Sequence, residues 1–350
     1  MQRVELRQQL VSRHGCHGPP AILSKSWFGQ GKLARPPGKP LTWSRRVIYW
    51  LHVSASFVMR FLPVRLAYRL VGWGTPLFLQ LFARDHLERA TENMRQVLGP
   101  GTDQREARRL TRAAFANYAR YMVDLVRLPH IHPRELYDSI RVEGWEHVES
   151  AFHFGKGVVF ATGHIGSWDL AGAAFAARGK PVSALVETLT PARWNERVQR
   201  TRTLAGIKAI PIESGVREMV SALRKREGLA VLVDRPLAED GVPVTFFGKT
   251  TRVPAGAATL ALRTGSPVVP AALVRDPDGS GYVAHIGQPI VGQRGEAGTD
   301  AAQAVMQRIM SWLEGIIRLY PDQWFMFRHM WPIPEGPLPI LARQLSPSDS

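Results

Sequence analysis

The stretch "GVVFATGHIGSWDLAG", residues 157–172, decides the fold. It begins as a short, β-branched apolar run, the pattern of a strand buried on both faces. It turns through Gly163 and Gly166 and continues as an alanine-rich helical segment. Strand, tight turn and helix form the unit from which parallel sheets are built. The same strand type recurs at "PVSALVE" (181–187), "IKAIPI" (207–212), "GLAVLVD" (228–234) and "PVVPAALV" (267–274), with "YVAHIGQPI" (282–290) as a further strand. Helical stretches at 168–177, 191–204, 215–225 and 254–263 separate them, and a long helix over 300–320 closes the series. This alternation predicts an α/β fold: a central, mainly parallel or mixed sheet flanked by helices. In such sheets the working groups gather at the carboxyl ends of the strands. The places to look are therefore residues 163–169, Glu187 and residues 234–241.

Upstream, residues 47–128 read as helical. "ATENMRQVLG" (90–99) is a short amphipathic helix stopped by Gly99, Pro100 and Gly101. In "DQREARRLTRAAFANYARYMVDLVRL" (103–128), Leu110, Ala114, Tyr118, Met122 and Leu125 recur at steps of three and four, one face of a helix. Arg105, Arg108, Arg109 and Arg112 sit near its start, the unfavourable end for the helix dipole. They serve either a partner or a solvated face. Two apolar pieces, 47–59 and 70–82, carry Trp, Tyr and Arg at their margins. Each is shorter than the roughly 18 residues of a membrane span. Their composition fits an element lying in a membrane interface, or equally two buried helices. Residues 1–46 are rich in Arg, Lys, Gly and Pro, with Glu5 as the only acid. They read as a poorly ordered basic arm without the apolar core of a secretory signal. The expected organisation is this arm followed by a single domain, 47–350. Within it, 47–128 is a helical, membrane-associating part and 140–335 an α/β catalytic core.

The chain of 350 residues carries a formal net charge of +16. Such a surface draws phosphates, whether of nucleic acid or of lipid headgroups, although a high-arginine composition alone produces the same number. No nucleic-acid module is recognisable, and most aromatics lie in apolar runs, so nucleic acid is not the expected partner. Cys16 is the only cysteine, which excludes an intrachain disulfide and a cysteine metal cluster and fits a reducing compartment.

His164 falls just beyond the strand "GVVFAT". A five-residue step to Asp169 turns the two side chains roughly 140° apart on one helix, so they meet only if His164 sits in the turn. A carboxylate on one imidazole nitrogen fixes the tautomer and frees the other nitrogen to take a proton. The alternative is a core histidine near a helix start, and spacing alone does not separate the two. Neither G-x-S-x-G nor H-E-x-x-H occurs. If His164 is catalytic, it therefore activates a substrate hydroxyl directly, without a covalent enzyme intermediate.

"GHIGSWDLAG" resembles the H-x4-D/E motif of the lysophospholipid acyltransferase superfamily. It looks most like the branch holding the late acyltransferases of lipid A synthesis and the phosphatidylinositol mannoside acyltransferases. "ALVETLTPARWNERVQRTRTLAGIKAIPI", "VLVDRPLAEDGVPVTFFGKTTRVPAGAATLALRTGSPVVPA" and the aromatic "PDQWFMFRHMWP" are similar to later blocks of that branch, in matching order over about residues 51–332. The resemblance implies acyl transfer from acyl-CoA or acyl carrier protein to a lipid hydroxyl. His164 would be the general base and Asp169 its orienting carboxylate. Glu187 and Arg202 match positions in or near the site, and Arg202 suits a cation over the thioester carbonyl or a donor phosphate. The loop "DRPLAEDG" should supply a further acid facing His164, from Asp234, Glu239 and Asp240. Glu239 is the expected catalytic one, with Asp234 and Arg235 on the substrate side. The loop departs from the branch's D-R-D-L form at Pro236, which leaves that choice open. No metal or cofactor is required, since a thioester is already activated. The expected protein is a monomer, peripheral on the cytoplasmic face of the plasma (inner) membrane. A lipid-ester hydrolase using the same groups is the alternative.

Overall fold

The computed structural model describes Ser54 and residues 57–236, 241–279, 281–292 and 298–331. The basic arm, most of the first apolar segment, Glu239 and Asp240 lie outside the described residues.

Upstream of the sheet the chain forms α1 (Val64–Phe82), α2 (Arg84–Leu98) and α3 (Gln104–Arg127). α2 begins well before the residue 90 read from sequence. Its opening "RDHLER" is too charged to show a period, yet Leu87 within it is buried. Asp103 caps α3 by accepting from the Arg105 N–H, satisfying a donor that the helix leaves open. Then follow α4 (Pro133–Asp138), β1 (Ile140–Glu143), α5 (Trp145–His153), β2 (Val158–Thr162), α6 (Trp168–Ala177), β3 (Val182–Val186), α7 (Ala192–Leu204), β4 (Ile207–Pro211), α8 (Val216–Arg224) and β5 (Gly228–Leu232). The chain continues with β6 (Val242–Phe246), β7 (Lys249–Val253), α9 (Gly256–Thr264), β8 (Val268–Arg275), β9 (Tyr282–Ile286) and α10 (Thr299–Leu319).

The seven-stranded sheet has the order β1-β9-β8-β2-β5-β3-β4. From β8 to β4 all neighbours are parallel; β9 runs against β8, and β1 follows β9. The sheet is mixed and mostly parallel, as the alternation predicts. Helices cover both faces. Val159, Leu229 and Val231 pack with Met219, Leu223, Met306, Ile309 and Leu313 of α8 and α10. Leu170 and Ala173 of α6 pack with Val182, Ile207 and Leu273 on the other side. Each fully buried large aliphatic contributes roughly 2 kcal/mol.

The helices α4 and α5, the strand β1 and the β6–β7 hairpin were not expected. β1 is only four residues with alternate burial, too short for a pattern. β6 and β7 form a separate hairpin, turned at Phe247 and Gly248, both with positive φ. The hairpin is pinned to α10: Gln307 bonds the Thr245 N–H and carbonyl, and Glu314 accepts from the Phe247 N–H.

The β2–β5 register positions the site. Thr162 pairs with Leu232, and the Val233 N–H donates to the Thr162 carbonyl. Two residues beyond that pair, His164 comes level with Asp234.

Candidate active site

The glycines of "TGHIG" are there for proximity. A Cβ on Gly163 would stand 2.9 Å from Oδ2 of Asp234. Gly166 has φ +61°, and a Cβ there would lie 2.0 Å from the Leu273 carbonyl oxygen. The turn can therefore press against both neighbouring strands only with glycine at these positions. It is further tied down by Gly166 N–H to Gln323 O, Ser167 N–H to Leu273 O and Phe325 N–H to His164 O.

Asp234 is fully buried and holds His164 twice. Its Oδ1 lies 2.6 Å from His164 Nδ1, and its Oδ2 accepts from the His164 main-chain N–H at 2.8 Å. Trp324 Nε1 donates to the same Oδ2 at 3.0 Å. A carboxylate only accepts, so Nδ1 carries the proton and Nε2 the lone pair. The imidazole is 16% exposed and meets the Trp168 ring edge to face at 5.6 Å. Burial works to raise the Asp234 carboxyl. The facing His164 and the three hydrogen bonds outweigh burial, and the group titrates below the usual carboxylate range.

The expected His164–Asp169 pair takes a different form. Asp169 accepts from Tyr121 Oη at 2.6 Å and from Arg202 Nε at 2.7 Å, with Arg202 Nη2 at 3.3 Å. It stands on the first turn of α6, facing α3 and α7, so its carboxylate is committed to this forked pair. The carboxylate on the imidazole is Asp234's. Asp234 is one of the three acids expected to face His164, and it lies behind the histidine rather than on the substrate side. Burial works against the Arg202 charge, but Asp169 more than compensates and keeps the guanidinium firmly protonated. Gln199 also accepts from Arg202 Nη1 at 3.3 Å.

Glu187, beyond β3, forms an ion pair with Arg235, the residue after Asp234. Arg328, on the closing segment, is held below its usual basicity by burial and by the like charge of Arg235, with Glu187 opposing. Two arginines and one glutamate thus gather at the carboxyl ends of β3 and β5. Tyr121, Trp168, Phe325 and Phe327 form the aromatic wall over α3, with Tyr121 and Trp168 rings 4.2 Å apart. Tyr121, Trp324 and Arg328 were missed as site residues. Trp324 and Arg328 belong to the "PDQWFMFRHMWP" block, whose aromatic density was the available signal; Tyr121 showed only helical periodicity. Among the described residues no group of three or more His, Cys, Asp or Glu side chains is placed to hold a metal ion.

The family model for bacterial lipid A biosynthesis acyltransferases matches residues 38–332. The chain belongs to this acyltransferase family. Among curated relatives of this family member, a phosphatidylinositol mannoside acyltransferase of Mycolicibacterium smegmatis is 29% identical, over 78% of this chain and 88% of the relative. The protein of the same name from Mycobacterium tuberculosis strain H37Rv is 27% identical, over 86% and 93%. A lipid A biosynthesis acyltransferase of Haemophilus influenzae is 25% identical, over 60% and 64%. The crystal structure of the 1-acyl-sn-glycerophosphate (LPA) acyltransferase PlsC from Thermotoga maritima overlays with a TM-score of 0.33 and 14% identity, over 72% of this chain and 96% of that one.

Proposed function

We propose that this acyltransferase moves a fatty acyl chain from acyl-CoA or acyl carrier protein to a hydroxyl of a membrane glycolipid. The observation that carries the reading is the Asp234–His164 contact, with Nδ1 held at 2.6 Å. The lone pair on Nε2 accepts the proton of the acceptor hydroxyl as its oxygen attacks the thioester carbonyl. The tetrahedral intermediate collapses, the C–S bond breaks, and the imidazolium returns its proton to the leaving thiolate. Buried Asp234 stabilises the imidazolium between these steps. Arg202, fixed by Asp169, supplies positive charge beside the reacting carbonyl. Arg235 and Arg328 suit phosphates of donor or acceptor.

A cleft of about 510 Å³ opens beside Glu187, where Asn195, Gln199, Thr203 and Lys208 stand among apolar lining residues that include Val186, Ile207 and Ala209. Such amide, hydroxyl and charged groups suit the hydroxyls of a sugar headgroup. The relatives matched over most of their length are named for phosphatidylinositol mannosides, which makes a mannosylated inositol lipid the first acceptor to test. Among the described residues no helix is long and apolar enough to cross a membrane. α1, however, exposes Leu70, Trp73, Leu77, Phe78, Leu81 and Phe82. An apolar face of this size beside Arg65 and Arg69 fits peripheral attachment to an anionic leaflet.

The test is incubation of the purified protein with labelled acyl-CoA, or acyl carrier protein, and the mannosylated lipid. The expected product is an acylated lipid. Free fatty acid alone, with or without acceptor, would make the protein a hydrolase.

A further inference from the structure

An apolar cavity of about 120 Å³ lies between α6 and the sheet, and its lining starts at Thr162 and Leu273, next to the His164 turn. It exists because small residues face one another. Ala171 and Ala174 on α6 meet Ala230, Ala271, Ala272 and Ala284 on the strands, where helix–sheet interfaces ordinarily carry larger side chains. α6 starts beside His164 and runs back along the sheet, so Arg178, just past its last residue, marks the end farthest from the reacting centre. From Ala171 to Arg178 the helix advances about 10 Å.

That far end has an unusual closure. The Arg178 guanidinium sits over the Trp145 ring at 4.0 Å and over the Tyr137 ring at 4.5 Å. Phe175 lies beside Trp145, with ring centroids 6.3 Å apart. Trp145 is itself anchored through Nε1 to Glu149 at 3.0 Å. A wall of apolar side chains can shift to admit another methylene. A stacked cation resists, because a hydrocarbon tip pressed against it displaces both its ring contacts and its access to water.

We infer that Trp145 and Arg178 form the stop that sets the length of the transferred acyl chain, with the donor chain lying along α6 and its terminal methyl against their stack. The inference rests on the acyltransferase reading above. The chain enters beside Thr162, its carbonyl stays at His164, and chain length is measured by the distance to the stack. Neither residue touches the reacting atoms; both act on specificity alone.

The test compares kcat/KM for even-chain acyl-CoAs from octanoyl to stearoyl in the parent protein, Trp145→Ala, Arg178→Ala and Ala171→Leu, each checked for folding by thermal melting. Removing either member of the stack shifts the preferred donor to a longer chain. Preference for the two-methylene-longer donor should rise about tenfold, the gain expected from burying those methylenes. Ala171→Leu fills the cavity near His164 and shifts the optimum to shorter chains. An unchanged length profile in folded Trp145→Ala and Arg178→Ala overturns the assignment. So does a uniform loss across all donors. No transfer from any donor by the parent protein overturns the acyltransferase reading itself, and the stop falls with it.

Discussion

Replacing Asp234 by Asn separates the two carboxylates of this site. Asp234 accepts from three donors: the His164 main chain, the His164 ring and Trp324 Nε1. An asparagine of the same shape offers one accepting oxygen and a donating NH2 group. At least one of the buried donors then faces another donor, and a lost buried partner costs about 1–3 kcal/mol. Stability should fall by that amount, which lowers the melting temperature by several degrees but leaves the protein folded. Activity should fall much further, because a neutral amide neither fixes the Nδ1–H tautomer nor stabilises the imidazolium. The equivalent change in serine proteases costs about 10⁴ in turnover, and a loss of about 10³ to 10⁴ is expected here. The assay is kcat/KM for acyl transfer, measured well below the melting temperature. The double variant His164→Ala/Asp234→Asn should be no worse than His164→Ala, since Asp234 works through the histidine. Asp169→Asn should instead loosen Arg202 and add its loss to that of His164→Ala. Folded Asp234→Asn within tenfold of the parent, or full additivity with His164→Ala, would refute the reasoning.

Other consequences are as direct. Asp234 titrates below the ordinary carboxylate value of about 3.9, so the unfolded chain takes up that proton first as the pH falls. The stabilisation is complete above that value and drains away below it, which urea midpoints from about pH 5 to about pH 3 should show as a steeper fall for the parent than for Asp234→Asn. Gly166→Ala forces a positive φ on alanine and a Cβ against the Leu273 carbonyl; a loss of at least about 2 kcal/mol is expected in denaturant unfolding. Trp73 and Phe82 are 76% and 74% exposed on α1. Trp73→Glu or Phe82→Glu should weaken sedimentation with phosphatidylglycerol vesicles by about tenfold each, with acyl transfer to a detergent-solubilised acceptor retained.

The fold was legible where burial writes itself into local sequence. The strands around "GVVFAT", "GLAVLVD" and "PVVPAALV" are buried on both faces, so their apolar runs stand out. β1 has alternate burial over four residues, and β6 carries Pro243, which is why neither showed a pattern. The histidine's place was readable for the same reason, as the first polar group past a buried strand. Its partner was legible only as one of three acids, Asp234, Glu239 and Asp240, that the resemblance placed opposite it. Asp234 lies 70 residues away in sequence and reaches His164 only through the β2–β5 register, which local patterns do not encode. Asp169, near in sequence, is turned by the helix toward Tyr121 and Arg202. Sequence proximity favoured one carboxylate; the pairing of two parallel strands brings another.

The central claim is that His164 is the base for acyl transfer. The most direct measurement is the pre-steady-state rate of acyl transfer by His164→Ala, with its melting curve recorded beside the parent's. The account predicts a folded protein whose transfer rate falls by at least about 10³, with donor binding retained. A folded His164→Ala that transfers acyl groups at the parental rate would contradict it.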